Sequence, residues 1–114
     1  MKLQDILYKV NIKSVVGNTS IEVNALQIDS HKVVDGNTFI ALKGTLNDGH
    51  SFIEAVIEKG ASVIVCEIFP KTINPKIVYV QVENTEIAVG IMSSNFFENP
   101  SSKINLIGIT GTNG

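Results

Sequence analysis

The first apolar pattern of the chain is helical. Four side chains fall at spacings of i, i+3, i+4 and i+7, which predicts one buried helix face ending near Asn11: Leu3, Ile6, Leu7 and Val10. Residues 14–28 then mix Val, Ile and Thr with Gly17 and Asn18. Because β-branched residues favour strands and Gly-Asn favours turns, this stretch predicts short strands around a turn, with rough alternation over residues 21–26.

The middle of the chain alternates between strand and helix signals. Asp35-Gly36 is a turn signal ahead of an apolar strand over residues 38–42, and residues 44–49 follow as a glycine-bounded loop. From Ser51 the apolar spacing becomes helical, and Gly60 stands where a left-handed residue ends a helix.

The remaining elements repeat this alternation. Apolar strands are predicted over residues 62–66 and 77–82, followed by a helix capped at Asn84 or Thr85 that stops before Pro100. A last strand covers residues 104–109. Alternating strands and helices predict an α/β fold of layered sheet and helices. The weakest join is at residues 83–84, which predicts a first domain over 1–83 and the start of a second over 84–114.

Composition narrows the function. The 114 residues carry a net charge of -2, with 44% hydrophobic and 18% charged residues, so a globular fold is expected and nucleic-acid binding is not. All nine cations are Lys, so an oxyanion would have to be held by Lys, hydroxyls or backbone N–H groups. One Cys excludes an intramolecular disulfide and a cysteine-based zinc site. No apolar run approaches the ~20 residues of a membrane span, so a cytoplasmic protein without membrane contact is expected.

The glycine-rich end of the sequence is one candidate site. An apolar strand runs directly into Thr110-Gly111-Thr112-Asn113-Gly114, which is how a phosphate-binding loop begins. A complete loop of this kind needs Lys and then Ser or Thr directly after its last Gly, and residues 110–114 do not contain this pair. A plain turn is the alternative.

Two polar clusters that follow apolar strands form the second candidate site. One is Ile28-Asp29-Ser30-His31, and the other covers residues 44–50. Such positions line ligand crevices in open α/β sheets, and hydroxyl and amide groups can bind a nucleobase or a sugar. Ordinary side-chain turns are the alternative, since Asp, Ser, Asn and Gly all favour them.

Three further features favour structural roles. Cys66 lies within an apolar strand and is interpreted as a packed small hydrophobe. His31 and His50 have no acidic cluster between them, so no metal site is predicted. Glu54 and Glu58 are interpreted as a solvated helix face.

The order of these motifs resembles the Mur ligase family. Residues 28–44 are similar to the family's D-S-R-x-V-x-x-G-x-L-F-V-A-x-x-G pattern, and residues 48–53 to its D-G-H-x-F-I continuation. Residues 96–101, before the last predicted strand, also resemble the family, and residues 109–114 resemble the start of its T-G-T-N-G-K-T loop. The resemblance extends over nearly the whole chain.

The resemblance implies a function in peptidoglycan synthesis, and hence in cell shape and division. The most similar members add meso-diaminopimelate or L-lysine to UDP-N-acetylmuramoyl-L-alanyl-D-glutamate with ATP and Mg²⁺. By resemblance, residues 1–83 are the UDP-substrate domain, and residues 84–114 begin the ATPase domain. The implied UDP contacts are Ile28, Ser30, Thr45, Leu46 and Asn47. The implied ATP contacts are Gly111, Thr112, Asn113 and Gly114.

The resemblance also sets limits. The family's Arg after Asp-Ser is His31 here, which removes a permanent cation. No catalytic or metal-ligating residue is assigned within these residues, so the chain alone is expected to be inactive and to work with the two remaining domains of a longer parent. Two alternatives stay open: the ligase that adds D-alanyl-D-alanine, and a stand-alone nucleotide-binding module without catalysis.

Overall fold

The computed structural model describes residues 1–43 and 49–97. The implied contacts Thr45, Leu46 and Asn47, the expected strand over 104–109 and the ATP loop at 111–114 therefore lie outside the described residues. Three α-helices are present in the described part: α1 (Leu3–Ile6), α2 (Ile53–Glu58) and α3 (Thr85–Phe97). The strands are β1 (Ile12–Val16), β2 (Leu26–Gln27), β3 (Thr38–Ile40), β4 (Val63–Cys66) and β5 (Val78–Val82).

The described strands form one five-stranded sheet in the order β1-β5-β4-β3-β2. Strands β2 to β5 are parallel, and β1 pairs antiparallel with β5 at the edge. The three inner strands are almost wholly buried, because apolar side chains project from both of their faces. The predicted layered α/β architecture is thereby confirmed.

Two apolar clusters cover the two faces of the sheet. On one face, α1 and α3 pack on alternate residues of β4 and β5, with Leu3, Ile6, Ala88 and Met92 at 0–2% exposure. On the other face, Ile53 and Val56 of α2 pack on Phe39, Ile64 and Tyr79. The alternation of β4, with Val63 and Val65 on one side and Ile64 and Cys66 on the other, follows the period of two expected for a strand.

The N-terminal helix is shorter than its apolar spacing predicts. It ends at Ile6, and Lys9 adopts a left-handed φ of 69°. The segment before β2 also differs from the expected strand over residues 21–26. Its backbone bonds instead to the N-terminus, with Leu3 N–H donating to Ile21 O and Val23 N–H donating to Met1 O, both at 2.9 Å. Within residues 21–27, only Leu26 and Gln27 form a strand of the sheet.

Gly36 and Gly60 lie at the turn and the helix end that the sequence predicts, and both have a positive φ. Gly36 has a φ of 83° and Gly60 a φ of 108°, and Gly36 N–H donates to Gly60 O at 2.9 Å. A Cβ on Gly60 would lie 2.7 Å from Asp35 Cα, so a side chain there would separate the two turns. These contacts hold the start of β3 beside the start of β4.

Helix α3 packs on the same core as the residues before it. Asn84 Oδ1 accepts from Ile87 N–H at 3.0 Å, which confirms the predicted cap. Asn95 Nδ2 donates to Ile6 O at 2.8 Å and to Tyr8 O at 2.7 Å, tying α3 to the end of α1. The domain boundary at 83–84 stays a prediction, but α3 itself rests on the first unit in this chain.

None of the described helices combines the length and the apolar character that a membrane crossing requires.

Candidate functional site at the carboxyl edge of the sheet

Strands β2 to β5 end at one edge of the sheet, where the polar segments of the sequence follow them. Ile28 follows β2, Glu67 follows β4 and Glu83 follows β5. The segment after β3 runs through Lys43 to residues 44–48, which lie outside the described part. Because ligands of open α/β sheets bind outside the carboxyl ends of the strands, this edge is the candidate site.

The two implied UDP contacts that lie within the described residues differ in burial. The Ile28 side chain is 55% exposed, whereas Ser30 is 8% exposed and begins a 3-10 turn at Ser30–Lys32. Lys59 at the end of α2 donates from Nζ to Ser30 O at 2.8 Å. Ser30 is therefore held in place by its backbone, while Ile28 offers an apolar surface to solvent.

Asp29 shapes the turn that follows β2. Its Oδ1 accepts from His31 N–H at 2.9 Å, and His31 Nδ1 lies 3.3 Å from the same oxygen. The hydrogen bond from the His31 backbone is the main cause that lowers the pKa of Asp29 below its ordinary value. The His31 side chain is 86% exposed, so it reaches into solvent beside a carboxylate.

Buried Asn37 stabilises the return from this turn to β3. Its Oδ1 accepts from Val34 N–H at 2.9 Å, and its Nδ2 donates to Asn24 Oδ1 at 2.8 Å. Asn24 in turn donates to Asp35 O at 3.1 Å. Asn37 is 2% exposed, and both its donor and its acceptor group are hydrogen-bonded. This amide therefore fixes the path of the chain between Ser30 and β3.

The segment that carries the other three implied UDP contacts starts and ends beside β3. Gly49 N–H donates to Leu42 O at 2.7 Å. A Cβ on Gly49 would lie 2.7 Å from Leu42 N, so only glycine allows this approach without a shift. The positions of Thr45, Leu46 and Asn47 themselves are outside the described residues.

His50 has a structural role that the sequence did not indicate. Its Nε2 accepts from Glu67 N–H at 2.9 Å, with Ile68 N–H at 3.4 Å. An accepting Nε2 requires the neutral Nδ1–H tautomer. The histidine of the Asp-Gly-His motif thus joins the segment after β3 to the end of β4.

Glu67 was also missed at the sequence level. Its Oε2 accepts from Thr85 N–H at 3.0 Å and Thr85 Oγ1 at 3.1 Å, and the bond from the Thr85 backbone is the main cause that lowers the pKa of Glu67. The carboxylate lies at the N-terminus of α3, where the helix dipole favours negative charge. No spacing rule marks a single Glu after an apolar strand.

The interpretation of Cys66 as a packed residue is confirmed. Cys66 is completely buried, and desolvation raises the pKa of its thiol to about 12, which makes it a packing residue. Within residues 1–43 and 49–97, no three His, Cys, Asp or Glu side chains gather in a way that could hold a metal ion.

A cavity of about 320 Å³ lies beside α3. Its lining is Asn11, Glu83, Asn84, Ile87, Ala88 and Ile91. Ile28 and Ser30 do not line this cavity, whereas Glu83, which follows β5 at the carboxyl edge, does.

Comparison with known proteins identifies the family. The sequence model "Mur ligase family, catalytic domain" matches residues 22–97. The chain is 46% identical over 115 residues to a UDP-N-acetylmuramoyl-L-alanyl-D-glutamate--2,6-diaminopimelate ligase of Cytophaga hutchinsonii. It is covered completely in that comparison, but spans only 24% of that ligase's length.

The fold is also similar to solved structures. A MurF crystal structure from Acinetobacter baumannii matches with a TM-score of 0.72 and 23% identity, over 85% of this chain and 21% of that one. The MurF ligase of Thermotoga maritima in complex with ADP matches with a TM-score of 0.56 and 28% identity, over 68% of this chain and 17% of that one. Since the family model covers residues 22–97, well over half of the sequence, this chain belongs to the Mur ligase family.

Proposed function

We propose that this chain supplies the UDP-substrate-binding part of a ligase that adds a diamino acid to UDP-N-acetylmuramoyl-L-alanyl-D-glutamate. The Cytophaga hutchinsonii relative, 46% identical, is such a ligase for 2,6-diaminopimelate, which favours that amino acid over lysine. The whole reaction belongs to a longer protein, because the chain spans 24% of that relative. A cytoplasmic place in peptidoglycan synthesis is part of the same proposal.

The geometry at Ser30 is the observation that carries the proposal. Ser30 is 8% exposed, follows β2 at the carboxyl edge, and is held at its carbonyl by Lys59. Ile28 supplies an exposed apolar side chain two residues earlier, suited to the face of a uracil ring. The segment 44–48 starts from the neighbouring strand, since β2 and β3 are paired in parallel.

Recognition of the diphosphate has to work without Arg. All nine cations of the chain are Lys, so the phosphates would be met by Lys, hydroxyls and backbone N–H groups. We propose that the backbone and side chains of residues 44–48, which include Thr45, Leu46 and Asn47, complete this part of the site together with Ser30.

ATP and Mg²⁺ belong to the proposed activity of the longer protein. The Thermotoga maritima relative carries ADP, and the proposed ATP contacts of this chain are residues 111–114. The described residues offer no cluster of metal ligands that would fit Mg²⁺, so no step of the reaction is assigned to them. Their part in the chemistry is to bind and orient the UDP end of the substrate.

The experiment that tests the proposal is calorimetric titration of the chain with UDP-N-acetylmuramoyl-L-alanyl-D-glutamate. Ser30→Ala is expected to weaken binding by about fivefold, the equivalent of about 1 kcal/mol for one lost hydroxyl contact. Ser14→Ala is the matched control, because Ser14 lies exposed on β1 at the other edge of the sheet. It should bind as the wild type does.

Two results would contradict the proposal. Absence of binding by the wild-type chain would remove the claim that this part forms a UDP-substrate site. Equal affinities of the Ser30→Ala variant and the wild type would show that the site does not include the Ser30 hydroxyl in the turn after β2.

A further inference from the structure

The basic side chains at the carboxyl edge differ in how far their charge is already used. Lys43 Nζ lies 3.4 Å from Glu67 Oε1, and Lys59 Nζ donates to Ser30 O at 2.8 Å. His31 and Lys32, in the turn after β2, are both exposed. The turn that carries Ser30 therefore also presents two basic side chains to solvent beside the candidate site.

The side chains of this turn follow the order of the parts of a uridine diphosphate. Ile28 offers an exposed apolar surface, Ser30 a hydroxyl, and His31 an imidazole that becomes a cation on protonation. Base, ribose and diphosphate follow one another in the same order in the ligand. Three residues span at most about 10 Å, so one ligand of this size can contact all three side chains.

Asp29 makes the charge of this turn depend on His31. Its Oδ1 lies 3.3 Å from His31 Nδ1, and the Asp29 side chain is 45% exposed. The hydrogen bond from the His31 backbone lowers the pKa of Asp29, so this carboxylate stays ionised near neutral pH. A protonated imidazole neutralises the carboxylate, whereas a neutral imidazole leaves a negative charge that repels a phosphate.

We propose that His31, in its protonated form, contacts the diphosphate of the substrate and that the neighbouring Asp29 makes this contact depend on pH. The inference rests on the proposed function above, because it assigns a further residue to the same site. Imidazole is the side chain that ordinarily changes its charge between about pH 5 and pH 8. The affinity for the substrate should therefore rise as the pH falls through this range.

The other charged groups around the turn do not give the same signature. They lie on the turn itself and on α2, which packs against it: Lys32, Glu54, Glu58 and Lys59. Their effects persist when His31 is replaced. His50, the second histidine of the chain, acts in the opposite direction, because protonation of its Nε2 removes the acceptor of Glu67 N–H at the same edge.

Calorimetric titration with UDP-N-acetylmuramoyl-L-alanyl-D-glutamate at about pH 5.5 and about pH 8 tests the proposal. The Kd of the wild type should be about threefold lower at the acidic pH, the scale of an exposed ion pair. His31→Gln keeps the backbone N–H that donates to Asp29 but has no titratable ring. Its Kd should be the same at both pH values and should match that of the wild type at the alkaline pH.

His31→Lys is the matched variant, because it carries a permanent cation at the same exposed position. It should keep the tighter binding at both pH values. Phosphorus NMR of the bound substrate then identifies the anion that His31 contacts. The signals of the diphosphate should shift with pH in the wild type but not in His31→Gln.

Equal Kd values of the wild type at the two pH values would overturn the inference and leave the proposed function standing. A pH dependence that persists in His31→Gln would also overturn it, since another group would then be titrating. Phosphate signals that do not change with pH, alongside a pH-dependent Kd, would contradict the assignment to the diphosphate. Absence of binding at both pH values would contradict the proposed function, and the inference with it.

Discussion

Lys59 Nζ donates to the carbonyl oxygen of Ser30 at 2.8 Å, which connects the end of α2 to the turn after β2 across 29 positions of the sequence. The acceptor is a backbone atom, so the contact fixes where Ser30 lies and leaves its hydroxyl available for other interactions. Placement of the Ser30 hydroxyl consequently depends on a residue that no motif of the candidate site includes.

Replacement of Lys59 by Met should weaken substrate binding. The variant keeps most of the apolar stem but loses the donor, so the Ser30 carbonyl loses about 1 kcal/mol of charge-assisted hydrogen bonding. We expect a fewfold higher Kd for UDP-N-acetylmuramoyl-L-alanyl-D-glutamate in calorimetry. Lys71→Met, at an exposed position between β4 and β5, is the control and should bind normally. Identical affinities of the two variants would show that the Lys59 contact does not position Ser30.

Replacement of Asn37 by Ala should strongly destabilise the fold. The variant leaves Val34 N–H and Asn24 Oδ1 without their partner in a part-buried environment, which costs roughly 2–3 kcal/mol. Urea denaturation followed by circular dichroism measures this loss. Asn18→Ala, in an exposed turn, should cost far less. A loss for Asn37→Ala no greater than that for Asn18→Ala would contradict the role assigned to the buried amide.

The same substitution should have opposite effects at two buried threonines. Thr38 Oγ1 has no hydrogen-bond partner among the described residues, so Thr38→Val should raise the free energy of unfolding by about 1 kcal/mol. Thr85 Oγ1 donates to Glu67, so Thr85→Val should lower it by about 1 kcal/mol. Thermal or urea unfolding compares the two variants directly. A change of the same sign in both variants would show that hydrogen bonding of the hydroxyl does not decide the effect on the free energy of unfolding.

Acid should destabilise the chain partly through Glu67. Its pKa is lowered in the folded state, mainly by the hydrogen bond from the Thr85 backbone, so its ionised form stabilises the fold above the unfolded pKa of about 4.3. This contribution is lost as the pH falls from that value through the folded pKa. The drop in urea midpoint between pH 7 and pH 3 should therefore be smaller in Glu67→Gln than in Glu83→Gln. A drop of equal size in both would contradict this linkage.

Local signals in the sequence predicted local structure well. Gly60 and Asn84 were predicted to end α2 and to cap α3, and both do so, because a positive φ and an amide oxygen at a helix start depend on one residue each. The apolar strands were recognisable as continuous apolar runs, because both faces of β3, β4 and β5 are buried.

Non-local partners were not predictable in this way. Residues 21–26 alternate roughly as a strand would, but Ile21 and Val23 pair with the N-terminus because α1 passes beside them. The antiparallel position of β1 next to β5, with an irregular register between Ile12 and Ser14, also has no local signature.

The candidate site likewise contains residues that a local signal marks and residues that only non-local contacts reveal. Ser30 could be proposed from its motif. Lys59, Asn37 and Glu67 could not, because their partners Ser30, Asn24 and His50 lie 13 to 29 positions away in the sequence. A lone Lys or Glu at the surface of a helix or strand end has no spacing that distinguishes it from a solvated charge. The family resemblance supplied Thr45, Leu46 and Asn47, which stay predictions.

The contact of Asn95 with the carbonyls of Ile6 and Tyr8, 89 and 87 positions earlier, has a consequence for biosynthesis. On a translating ribosome α1 emerges long before Asn95, which bonds to its end. Likewise, β1 emerges long before its partner strand β5. The segments from β2 to β4 come out with their partners close behind them. The hydrogen bonds from Asn95 therefore form only after α3 has left the exit tunnel, whereas the pairing of the N-terminus with residues 21–23 can form earlier.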